Sequence, residues 1–114
     1  MAVLGPNDGV LMIQLAQWGA MSGIQDATAA IFAKDFDPES ADHRDESVSK
    51  VLMWGETIGT LTKNGLISQE LILDWLWIAG MWARVGGAAR AAREEVGVPQ
   101  LYENFEALAS AQAG

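Results

Sequence analysis

The chain has 114 residues, 50% of them apolar and 19% charged, with one histidine, no cysteine and a net charge of −8. That length suits one domain, residues 1–114, and the apolar share excludes a disordered acidic tail. Seven Lys and Arg against fifteen Asp and Glu argue against nucleic acid or an anionic membrane surface as a partner. The absence of cysteine excludes disulfides, thiolate catalysis and cysteine-type zinc sites.

Met1 to Asp8 carries no basic start of a signal peptide. The two longest apolar runs, 10–24 and 71–83, are shorter than the roughly 20 residues that span a bilayer. The expectation is a cytoplasmic protein with no membrane span.

No segment alternates apolar and polar residues as a strand does, whereas helix punctuation is frequent. After Gly5-Pro6, Asn7 or Asp8 caps a first helix that runs to about Lys34. Asp37 with Pro38 behind it starts a second, which runs to Asn64 and closes at Gly65 with Leu66 folding back. Ser68 caps a third, stapled by Ile67 and Ile72. Gly80 breaks or bends the chain before a fourth, Ala-rich helix ending near Gly97, and Pro99 opens a last one. The fold class is all-α: a bundle of four to five helices, with a long antiparallel helical hairpin first and a short C-terminal helix.

On the second helix Val48, Val51, Leu52, Trp54, Ile58 and Leu61 share a face, with Gly55 and Gly59 near its middle. The first helix repeats that glycine spacing at Gly19 and Gly23. In an antiparallel hairpin Gly19 lies level with Gly55. Either the two backbones approach closely there, or the glycines leave room for Trp18 and Trp54.

Two stretches are too apolar for a surface helix. Gly9 to Gln25 carries no charge, and Leu71 to Met81 holds only Asp74. Such helices need cover on every side, which one small chain does not provide. The expected partner is a second copy in a two-fold dimer, with Trp18, Met21, Trp75, Trp77 and Ile78 at the interface. Another protein is a further candidate partner.

The polar residues offer little chemistry. Asp35 to Glu46 partly matches a calcium loop, but Ser40 replaces the turn glycine, Pro38 interrupts it and Asp42 stands at an apolar position. Carboxylates at a helix start explain that stretch, and no metal or other cofactor is expected. His43 lacks partners for a triad or a zinc site. Gly86-Gly87 follows no strand and has no phosphate-loop spacing. Glu56, Asp74, Arg93 and Trp82 border apolar faces. They read either as a structural ion pair with its neighbours or as the lining of a polar pocket for a small ligand.

Trp54-Gly55-Glu56-Thr57-Ile58-Gly59, then Leu61 and Lys63-Asn64-Gly65-Leu66-Ile67, resembles a motif of a group of small bacterial helical proteins of unknown function. Trp82, Val85 and Arg93, followed by Leu101-Tyr102-Glu103-Asn104-Phe105-Glu106 and Leu108-Ala109, is similar to that group's ending. The likeness covers about residues 48 to 109. Many members have a membrane segment ahead of this region, where this chain has an amphipathic helix with three glutamines, and Gly87 stands where a proline is common. The resemblance implies a helical fold and brings no activity. The expected function is a non-enzymatic, homo-oligomeric protein-interaction module. The alternative is a small-ligand-binding regulatory domain with an inter-helix pocket.

Overall fold

Gly5 and Pro6 start the first helix one step earlier than Asn7 or Asp8 would, because Asp8 acts from inside it. Its carboxylate accepts the Gly5 N–H at 2.7 Å and, through its other oxygen, the Ser68 N–H at 2.7 Å. The computed structural model describes residues 5–114, so the first four residues of the stretch Met1–Asp8 read above lie outside the described part. The helices are α1 (Pro6–Ser22), α2 (Ile24–Ile31), α3 (Glu46–Lys63), α4 (Gln69–Trp75), α5 (Ile78–Val96) and α6 (Glu103–Ala113). No strand occurs among the described residues.

Six helices among the described residues replace the four to five expected, because the expected first helix is broken in two and the chain breaks fully, and earlier, where a break or bend at Gly80 was expected. Gly23, at φ +80°, ends α1 and begins α2 in a left-handed conformation that favours glycine. The long first arm of the hairpin therefore does not form. α2 packs along α3, while α1 reaches α3 through Trp18 and Gly19. The second break is at Leu76, which is extended, and Trp77, not at Gly80. Gly80 instead lies buried in the first turn of α5, where a Cβ would overlap the Trp77 ring.

α3 begins at Glu46 rather than after Asp37-Pro38. The polar residues between them satisfy turns. Asp37 accepts the Glu39 N–H at 3.0 Å and Asp42 the Arg44 N–H at 2.8 Å, bonds that compete with helix formation. The C-terminal end of α3 follows the sequence reading. Gly65 is left-handed, and the Leu66 and Gly65 N–H groups return to the Leu61 and Thr62 carbonyls. The Ser68 hydroxyl accepts the Leu71 N–H at 3.2 Å, with Ile67 and Ile72 buried beside it. Gly97 closes α5 at φ +70°. Pro99 lies in a turn, and α6 starts only after Tyr102, whose φ of +61° is left-handed.

α6 packs on both α3 and α5, so Phe105 lies in the centre of the molecule with Val51, Ile58, Ile72, Ile78 and Val85, all fully buried. Gly55 and Gly59 serve this contact, not an approach of the first helix. A Cβ on Gly55 would overlap the Phe105 ring, and one on Gly59 the Asn104 carbonyl. Gly19 makes room for Trp54, whose ring atoms would lie 3.0 Å from its Cβ.

Arg84 closes the end of α2. Its guanidinium donates to the carbonyls of Ile31 at 2.7 Å, Phe36 at 3.2 Å and Ala33 at 3.4 Å, and lies 5.2 Å from the Phe36 ring centroid. A cation donating to the last carbonyls of a helix meets both its unpaired acceptors and its negative dipole end. Arg84→Ala is expected to lower the unfolding free energy in urea by about 1.5–2 kcal/mol, with Arg84→Lys recovering less than half. Equal stability of Arg84→Lys and the parent would refute the fork geometry as the cause.

Candidate functional site

Three of the four polar-pocket candidates come together at the start of α6. Glu56, on α3, accepts the backbone N–H groups of Asn104 and Phe105 with one oxygen, each at 3.0 Å. Its other oxygen accepts the Asn104 side-chain amide at 2.9 Å. Tyr102 contributes no side-chain cap, so a carboxylate 48 residues away in the chain satisfies the free donors of this helix.

Arg93, on α5, donates to the Leu101 carbonyl at 2.6 Å and pairs with Glu106 at 2.8 Å. Its guanidinium lies 5.8 Å from the Trp82 ring centroid, and Trp82 meets Phe105 edge-on at 5.0 Å. Both Glu56 oxygens and the Arg93 Nε are thus hydrogen-bonded within the fold, while the buried Arg93 Nη2 is ion-paired with Glu106 and has no hydrogen-bond partner. Asp74 stands apart, exposed on α4.

The acidic loop is also internally engaged. Glu95 on α5 receives Arg44 at 2.8 Å and lies 3.0 Å from His43 Nε2, which ties residues 42–45 to the last turns of α5. Among the described residues no group of three or more His, Asp or Glu side chains is placed to hold a metal ion.

An open cleft of about 550 Å³ lies elsewhere, between α1–α2 and α4–α5. Trp54, Trp75, Trp77 and Phe32 form its aromatic walls, and Ala16 and Ala20 keep its α1 side low. The only polar side chains lining it are Gln25 and Thr28, and the Thr28 hydroxyl is bonded to the Ile24 carbonyl at 2.7 Å. A second cleft of about 430 Å³, near Lys63 and Glu103, is lined mainly by polar residues.

The five expected interface residues divide. Ile78 belongs to the core, fully buried, because the break at Trp77 turns the start of α5 inward. Trp18 and Trp75 are partly buried against Trp54, at 5.1 and 6.3 Å between ring centroids. Met21 and Trp77 are exposed, at 87% and 67%. In the run from Leu71 to Met81, Ile72, Ile78, Gly80 and Met81 are buried, Asp74 and Trp77 are exposed, and the other five residues are half-buried. α1 is not covered: Leu15 and Gly19 alone are buried, and Val10, Ile13 and Met21 lie exposed on its outer side.

The sequence model of the family described as Domain of unknown function (DUF4760) matches residues 12–111. The chain belongs to this family. No curated protein and no solved structure matches it. The DUF4760 match extends the likeness read from residues 48–109 back into α1. No described helix is long and apolar enough to cross a membrane.

Within this DUF4760 chain, eight of the residues that carried the resemblance share one job. Gly55, Glu56 and Gly59 on α3, Trp82 and Arg93 on α5, and Asn104, Phe105 and Glu106 on α6 together dock the last helix. The aromatic-walled cleft between helices lies away from Glu56, Asp74, Arg93 and Trp82, the residues expected to line an inter-helix pocket. Its alanines, Gln25 and Phe32 have no local signature, and only the breaks at Gly23 and Trp77 bring them together with the tryptophans.

Proposed function

We propose that the chain is a non-enzymatic interaction module that pairs with a second copy of itself through the outer side of α1. The observation that carries this is charge placement. No Asp, Glu, Lys or Arg occurs between Gly9 and Gln25, whereas the chain as a whole bears −8. Two such molecules repel wherever their acidic surfaces meet, and they meet without that cost along α1. Val10, Ile13, Gln17 and Met21 share that side at helical spacing and are exposed, so pairing removes apolar surface from water. A two-fold axis places each copy's α1 against the other's, the commonest arrangement for identical chains.

Glu56 and Arg93 are engaged in docking α6 and Asp74 stands alone on α4, so the candidate groups do not converge on one point, which supports the interaction reading over an enzyme. Sedimentation velocity from low to high micromolar concentration is expected to show a monomer passing to a dimer. Ile13→Glu, which places a like charge on both sides of the axis, is expected to stay monomeric with an unchanged circular dichroism spectrum. A parent protein that remains monomeric at high micromolar concentration, or an Ile13→Glu variant that dimerises equally, would contradict the proposal.

A further inference from the structure

We infer that the cleft between α1–α2 and α4–α5 is a binding site for a small neutral molecule with an aromatic or branched aliphatic body. Its volume of about 550 Å³ falls within the roughly 300–1,000 Å³ of ligand sites. Residues from α1 through α5 wall it, which makes a pit for a compact ligand and not a trough for a helix. Among the described residues no charged side chain lines it, so these offer an anion or a cation no counter-charge, and the acidic chain around it further disfavours anions.

Trp77 is the second observation. Its indole is 67% exposed, yet it is held on two sides. It stacks nearly parallel on Phe32, with centroids 5.7 Å apart and an 8° tilt, and it lies over the bare backbone of Gly80. A glycine inside a helix costs stability, and here it makes room for a ring that remains mostly in water. A rigid, exposed tryptophan at the mouth of an apolar pit is pre-organised for contact, since ordering it costs nothing further when a ligand arrives. Gln25, at the rim, supplies one polar handle for orientation.

Ala16 and Ala20 lie at helical spacing from Ile13 and Gln17, so the cleft adjoins the proposed pairing side of α1, and probe binding is measured at a protein concentration where sedimentation shows a monomer. The test uses N-phenyl-1-naphthylamine, a neutral fluorescent probe, and 1-anilinonaphthalene-8-sulfonate, which adds a negative charge to a similar ring body. The neutral probe is expected to bind saturably, one per chain, at least about tenfold more tightly than the anionic one. Ala16→Phe, which fills the pit from an exposed position, and Trp77→Ala are each expected to weaken it by about tenfold or more. Their melting temperatures and circular dichroism report whether the fold is retained. Absence of saturable binding, equal affinity for both probes, or unchanged affinity in a folded Ala16→Phe variant would overturn the inference.

Discussion

Gly59→Ala is expected to lower stability by about 2–3 kcal/mol, although alanine exceeds glycine in helix propensity by about 1 kcal/mol. Gly59 lies in the interior of α3, and the new methyl would meet the backbone of Asn104, which cannot rotate away as a flexible side chain can. Either α6 lifts from α3 or α3 shifts within a filled core, and both expose Phe105. The neighbouring change Gly55→Ala meets the Phe105 ring, itself fully buried against Trp82, and should cost a similar amount. Gly9→Ala supplies the control. Nothing lies within 4 Å of its Cβ, so that variant should be more stable by up to about 1 kcal/mol. Urea unfolding of the three variants checks the sign reversal. A stabilised Gly59→Ala would show that α6 does not pack on α3 at this distance.

The second large effect is expected at Glu56. Glu56→Ala removes the acceptor of two backbone donors and one side-chain donor at the N-terminus of α6, where a negative charge is also favoured by the helix dipole. The loss is expected to be about 3 kcal/mol, a fall of roughly 10 °C in melting temperature for a domain of this size. Glu56→Gln keeps one carbonyl oxygen for the Asn104 and Phe105 N–H groups but turns an amide toward the Asn104 side chain, so about half the loss should return. Amide exchange at Asn104 and Phe105 should quicken in the alanine variant before exchange in α3 does. Uniform quickening of all helices would show that Glu56 stabilises the fold by some other route.

These expectations show which parts of the molecule can be read along the chain. The ends that depend on local chemistry are legible. Ser68 caps its own helix, Gly65 and Gly97 turn left-handed where helices close, and Val51, Trp54 and Ile58 fall on one buried face. What depends on distant contact is not. Glu56 stands at the edge of an apolar face, and only the arrival of α6 explains why a carboxylate is there.

The break at Gly23 and the displacement of the second break to Leu76-Trp77 have separate reasons. Gly23 follows Gly19 at a spacing that suits close packing as well as a stop, and Leu76-Trp77 contains neither glycine nor proline. The second break is held from outside: Gln112 on α6 donates to the Leu73 and Leu76 carbonyls at 3.0 and 2.8 Å and accepts the Ala79 N–H at 2.7 Å. A side chain 33 or more residues away thus satisfies the backbone groups that an unbroken helix would have paired. The uncharged character of α1, by contrast, was visible from the first reading, because charge is a property of composition and needs no fold.

The C-terminal helix is docked into the fold, whereas the outer side of α1 is the proposed surface for association. Hydrogen exchange of the backbone amides, measured at low and at high micromolar protein concentration, tests that division most directly. Amides of α1 around Ile13 and Gln17 should become better protected as concentration rises, while those of α3, α5 and α6 keep the same strong protection throughout. Protection in α1 that is independent of concentration, or a rise spread evenly over all six helices, would contradict it.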